Sequence, residues 1–345
     1  MPRTLLAAFA LALAAAAPAA AAAENVVVTA ERMIDVLAGR VVEEPVVVIT
    51  DGRIASVVGR GGARPVIPEG ARRIDLPGHT ILPGLIDMHV HLDSSPLYGP
   101  YESLQFTDLF QAMLGPGHAR DMLEAGFTTV RNVGSARYID VAMMQAVEEG
   151  LLPGPRIVPA AYSLGATGGH CDETFLPPSY NATNPGIGNG AQELRTRVRE
   201  QRRNGAQVIK VCATGGVFSR NTEPGQQQLS EEELRAIADE AHQWGLRVAA
   251  HAHGAAGIRA AIRAGIDTIE HASLIDADGI RLARERGTFL VMDIFNTDYT
   301  QAHGRENGIL EDNLRKDREI AQIQRDNFRA AHRAGVRMAF VRTPA

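Results

Sequence analysis

The chain has 345 residues, 45% of them hydrophobic and 22% charged, with a formal net charge of -5. That is an ordinary globular composition, with room for a large domain and a small accessory one, and it carries no basic stretch of the kind nucleic acid needs. The only cysteines, Cys171 and Cys212, exclude a disulfide framework, and sequence alone cannot assert one bridge between them.

Arg3 opens the chain with positive charge, and Leu5 to Ala16 follow as an apolar run. Pro18 and the alanines up to Ala23 then supply an A-x-A-like cleavage site, so residues 1–23 read as a signal peptide. Alanine is weakly apolar and the run is short for a span, which makes an uncleaved anchor the weaker alternative. The expected protein is exported, periplasmic or secreted, with no stable membrane insertion after cleavage.

Residues 24–80 carry short β patterns at Val26 to Thr29, Val46 to Thr50 and Arg53 to Val58. Asp51-Gly52 between the last two is a two-residue hairpin signal. A small N-terminal β domain is predicted, in the form of an incomplete β-sandwich; a lone hairpin lobe is the alternative.

After Pro83-Gly84 apolar strands alternate with amphipathic helices. The strands fall at 85–91, 128–132, 157–161, 208–212, 247–253, 268–271, 289–293 and 336–341. The helices fall at 117–125, 139–149, 191–204, 230–243, 255–264 and 277–286. Ser230 with Glu233 forms a capping box, and glycines such as Gly265 and Gly287 close the helices. Repeated βα units predict an α/β fold, here a (β/α)₈ TIM-type barrel over residues 81–345, truncated at its eighth strand because no helix follows.

Such barrels place their chemistry at the C-terminal ends of strands. His89 and His91 end the first strand, on one face. Lys210 lies on the fourth, His251 on the fifth and His271 on the sixth. One such histidine is more often part of the core; five strand-end residues of this type point to a metal site. Lys210 adds weight. Only it and Lys316 are lysines among 35 basic residues. A buried primary amine can lose its proton and take up CO₂ as a metal-bridging carbamate, which arginine cannot do. A lysine paired with a carboxylate is the competing reading, but Asp87, Glu270 and Asp293 all sit on strands that do not adjoin it. Lys316 lies in a charged helix, and its replacement is expected to be silent.

The text Leu82-Pro83-Gly84-Leu85-Ile86-Asp87-Met88-His89-Val90-His91 and Gly126-Phe127-Thr128-Thr129-Val130-Arg131, with Gly168-Gly169-His170, Ile209-Lys210, Ala213-Thr214-Gly215-Gly216-Val217, His251-Ala252-His253-Gly254 and Ile269-Glu270-His271, resembles the metal-dependent amidohydrolase superfamily. Within it the likeness is to the imidazolonepropionase-like and prolidase-like group. The resemblance implies two divalent metal ions, zinc by preference. His89 and His91 would hold the more buried ion, His251 and His271 the more exposed one, and carboxylated Lys210 and a hydroxide would bridge them. His170 would contact the substrate carbonyl, and His253 would support the ligands. The implied activity is hydrolysis of amide or peptide C–N bonds in a small-molecule or dipeptide substrate; homo-oligomerisation is left open. The loops at 163–190 and 217–228 would set specificity, with Arg220 either gripping a substrate carboxylate or simply solvated.

The family pattern also expects an eighth-strand Asp as metal ligand and general base. Val341-Arg342-Thr343-Pro344-Ala345 contains none. The expectation is therefore a truncated product of a shifted reading frame. Two alternatives accompany the hydrolase reading: a lactam or ester hydrolase on the same site, and an inactive metal-binding fragment.

Overall fold

The structure is a computed structural model that describes residues 25–341 apart from residue 108. The export signal read over residues 1–23 lies outside the described residues, as do residues 342–345, where the family carboxylate is sought. No helix among the described residues is long and apolar enough to cross a membrane. The chain forms two compact units divided between Pro83 and Gly84.

The first unit is one five-stranded sheet. Its strands are β1 (Asn25–Asp35), β2 (Arg40–Glu43), β3 (Val46–Thr50), β4 (Arg53–Val58) and β5 (Arg72–Ile81). β1 is central: it pairs antiparallel with β2 and β3 along one side and parallel with β5 along the other. Val26 and Val27 of β1 and Val47 and Val48 of β3 are buried. The Asp51-Gly52 hairpin forms in the expected register, Thr50 opposite Arg53. Both turn residues take positive φ, 52° and 70°, the primed-turn geometry whose twist matches the flanking strands. Sequence reading missed β2 and β5. β5 contains Pro77 and Gly78, two residues that ordinarily argue against a strand.

The second unit is mixed α/β with parallel sheets. β6 (Leu85–Val90), β7 (Phe127–Asn132) and β8 (Arg156–Pro159) form one sheet. β9 (Val208–Cys212), β10 (Arg247–Gly254), β11 (Thr268–Leu274), β12 (Phe289–Val291) and β13 (Met338–Ala339) form the other, in that order. Every pairing in both sheets is parallel. Hydrogen bonds join the two sheets at both pairs of edges. Leu164 pairs with Val211 in a parallel bridge, and the Met88 N–H donates to the Phe340 carbonyl at 3.0 Å.

The helices are α1 (Phe110–Glu124), α2 (Ile139–Glu148), α3 (Ala191–Arg203), α4 (Glu231–Gln243), α5 (Ala255–Ala264), α6 (Ala277–Arg286), α7 (Asn296–His303) and α8 (Glu311–Arg333). The α4 start is the expected capping box, with Ser230 and Glu233 each satisfying the other's backbone N–H. Gly265 and Gly287 close α5 and α6 with φ of 95° and 70°. α1 begins seven residues earlier than its pattern suggests and runs through Pro116, a residue that ordinarily breaks a helix interior. Val198, Leu234, Ile237, Ile258 and Ile262 pack from α3 to α5 against Ile209, Val248 and Ile269 of the sheet. This rigid base fixes the strand ends that carry the site.

Candidate metal centre

β9 is buried at every position, and Lys210 sits in its middle, 3% exposed. Burial pushes its ammonium down to about 8; the nearby charges divide, with Glu270 opposing that shift, Arg131 adding to it and Asp293 opposing it. The acids of β11 and the β12 end thus reach Lys210 electrostatically although neither strand adjoins β9. Adjacency in the sheet is too strict a test, because residues facing one interior meet across it.

The predicted histidines converge. His89 and His271 have ring centroids 4.8 Å apart, His251 and His271 4.7 Å, and His89 and His91 5.4 Å. His170 stacks on His251 at 4.1 Å. His253 comes as close, 4.6 Å from His251 and 4.8 Å from His271. Among the described residues His251, His253 and His271 bring one ring nitrogen each within 4.8 Å of one another. His253 therefore belongs to the same cluster as the histidines it is expected to support. His89 and His91 join through His271 and His89.

The hydrogen bonds decide which nitrogens are free. The Nδ1–H groups of His89, His91 and His271 donate to the Glu270 carboxylate, the Gly134 carbonyl and the Asp293 carboxylate, each at 3.0 Å. An acceptor on Nδ1 fixes the tautomer and leaves the Nε2 lone pair for a metal. His251 is turned the other way. Its Nε2–H donates to the Gly215 carbonyl at 3.2 Å, which leaves Nδ1 as its free nitrogen. Burial, then the charge of Lys210, holds His91 down at about 4 and His89 well below the ordinary imidazole range. Burial, followed by neighbouring histidines, does the same to His251 and His253. Neutral imidazoles with oriented lone pairs are what a divalent metal requires, so the residues present fit such an ion.

Two features were not legible as roles. The first is a buried charge relay behind His89. Glu270, fully buried, accepts from Arg131 Nη2 at 2.7 Å, from the Thr268 hydroxyl and from His89. An arginine inside an apolar strand such as β7 is the signal that could have prompted a search for its carboxylate. The second is Asp293, on which burial pushes up while His271 and the other histidines pull its carboxyl well below the usual range. Gln324 of α8 donates to the same oxygen at 2.8 Å. His271 and Ala272 take left-handed φ of 68° and 48°, beside a register shift between β10 and β11. Such a conformation costs of order 1–3 kcal/mol, and here it sits within β11, at His271 itself.

The cluster floors a cavity of about 530 Å³. Its wall includes Tyr98, Phe175, Val217 and Phe218, and the far side is built by Tyr299, Ile309 and Ile320. The loops expected to set specificity do contribute, and the segments at 94–100 and 296–313 contribute as well. Arg220 does not line the cavity; exposed, it donates to the Tyr101 hydroxyl at 2.8 Å. Cys171 and Cys212 are joined as a disulfide, with Cα atoms 5.7 Å apart, which ties the residue after His170 to the end of β9.

The amidohydrolase family pattern matches residues 80–341, most of the chain and all of the histidine cluster. This chain belongs to the amidohydrolase family. Ochratoxinase from Aspergillus niger is 33% identical over 323 residues, an alignment that covers 87% of this chain and 65% of that protein. The chain thus spans slightly under two thirds of that relative's length. Among solved structures, a Xaa-Pro dipeptidase with methionine bound in its active site matches with a TM-score of 0.84 and 32% identity, over 92% of this chain and 79% of that one. A prolidase complexed with N-methylphosphonate-L-proline matches with a TM-score of 0.83 and 34% identity, over 92% and 78%. Two of these relatives are named as peptidases and one as an ochratoxinase, and the family is one of enzymes.

Proposed function

We propose that this chain is an exported, metal-dependent hydrolase of C–N bonds in small amides or dipeptides. The observation that carries the reading is the set of clustered histidines that each have one ring nitrogen tied, to Glu270, Gly134, Asp293 and Gly215 in turn, which leaves the other nitrogen of each ring available to a metal. His89, His91, His251, His271 and a carboxylated Lys210 would hold two divalent ions, zinc by donor chemistry. When bound, such ions act as Lewis acids and make water nucleophilic at neutral pH.

The chain's own residues account for the rest. With its ammonium held near 8, Lys210 is neutral often enough at physiological pH for its amine to add to CO₂. A C–N bond forms, a proton leaves, and the cation becomes a bidentate anion. His170 is held down at about 3, first by burial and then by the charges of His271 and Lys210, so its ring is neutral. Its Nδ1 lies 2.9 Å from the Ser219 hydroxyl. If that hydroxyl donates, Nε2 carries the proton and can donate to a substrate carbonyl. The aromatic wall suits an apolar side chain beside the scissile bond. The hydrogen bonds that join the two parallel sheets at both edges support a closed (β/α)₈ barrel as the scaffold. The Cys171–Cys212 bridge supports an oxidising compartment, hence export.

A substrate panel tests the reading: Xaa-Pro and other dipeptides, N-acyl aromatic amino acids, lactams and esters, each before and after metal stripping. Amide or dipeptide turnover that disappears with chelation and returns with zinc is the expected result. Turnover confined to lactams or esters, or turnover indifferent to chelation, contradicts it. Bound metal with no turnover on any member would favour the non-catalytic alternative.

A further inference from the structure

Lys316 is the chain's other lysine, and the chemistry above leaves it unused. Among the described residues it is the largest fully buried side chain, 0% exposed, on the inner face of α8. The expectation that its replacement is silent rests on its charged helix, and full burial removes that ground. Its Nζ donates to the Ser219 carbonyl at 2.6 Å and the Thr222 carbonyl at 3.2 Å, and it pairs with Asp312 at 3.2 Å. Three acceptors around one ammonium match its three protons, which is the condition for burying it. One turn earlier Asn313, 2% exposed, donates to the carbonyls of Val217 and Ser219.

Carbonyls 217, 219 and 222 of a single loop therefore all point at α8. The same loop presents the Ser219 hydroxyl to His170, and that hydroxyl also meets Thr222 Oγ1 at 2.5 Å. His170 in turn stacks on His251. We propose that Lys316, with Asn313, is a positioning device: it latches the 215–223 loop onto α8 and, through Ser219, fixes the orientation of His170 over the cluster. Reading His170 as a substrate donor belongs to the function proposed above; the latch itself is a structural claim that can be measured without turnover.

The test uses the full chain and Lys316→Met. Amide hydrogen exchange is expected to accelerate in residues 163–172 and 214–228 together, with β10 and β11 unchanged and metal content retained. On the best substrate of the panel, kcat is expected to fall on the order of 10- to 100-fold, the scale of a misplaced catalytic group, with a smaller change in KM. In a His170→Ala background the same substitution should add less than about twofold, because the group it positions is already gone. Lys316→Arg should share the defect, since a planar fork cannot place three donors around one point. If Lys316→Met does not fold, Asn313→Ala removes part of the latch and must show the same paired exchange pattern. Exchange that rises only within α8, or evenly across the chain, overturns the latch, as does a kcat loss that is equal with and without His170. If His170→Ala alone leaves turnover unchanged, the substrate role of His170 fails, and the exchange pattern still decides the latch.

Discussion

Replacing Lys210 by arginine is expected to collapse binuclear metal binding and abolish turnover, with kcat/KM falling on the order of 10³-fold or more. The substitution keeps the positive charge and much of the volume, so a purely electrostatic or packing role would survive it. A guanidinium does not lose its proton in a protein and forms no stable carbamate. The side chain is nearly fully buried and its charge reaches His89, His91 and His251, so the variant would fix a permanent cation among the lone pairs meant for metal. Elemental analysis of purified variant and parent reads the result: about two ions per chain should fall to one or fewer. Retention of both ions by the arginine variant would mean that Lys210 does not bridge them.

Glu270→Ala is expected to be the most destabilising single change near the site, by about 3–5 kcal/mol in denaturant unfolding. Glu270 is fully buried and neutralises Arg131, itself 5% exposed, while orienting His89. Truncation leaves a guanidinium buried without a counter-ion and frees the His89 ring to choose the wrong tautomer. Metal affinity should drop together with stability, by the 10- to 100-fold typical of partners behind a ligand. Replacing Arg131 and Glu270 together by leucine should recover most of the stability but not the metal affinity, because the carboxylate on His89 stays lost. A Glu270→Ala loss below about 1 kcal/mol would show that Arg131 finds another partner.

The sequence made the parallel strands and their terminal histidines legible, and the reason is physical. Strands such as β9 and β10 are apolar on both faces, so a lysine or histidine inside them stands out against its surroundings. Asp51-Gly52 and the helix-closing glycines were equally readable, because positive φ restricts which residues fit. α8 defeated the same logic. Its buried residues are Asn313, Leu314, Lys316, Asp317, Ile320, Gln324 and Ala331, spaced as a helix stripe should be but with four of the seven polar or charged. Hydropathy cannot distinguish a polar stripe that binds loop carbonyls from one that meets water; only the positions of those carbonyls can. Arg131 was hidden for the opposite reason: its partner lies 139 residues away, beyond any local pattern. The Cys171–Cys212 pairing likewise depends on how the loop after β8 folds back against β9, which two isolated cysteines do not encode.

The central claim is that the histidine cluster and Lys210 form a binuclear metal centre. Elemental analysis of the purified soluble chain, expressed with zinc and bicarbonate and freed of loosely bound ions, tests it most directly. About two zinc-like ions per chain are predicted, removable by chelator and recovered only when bicarbonate is supplied with the metal. Protein that is folded, carries no ion, and takes none up under those conditions would contradict the account.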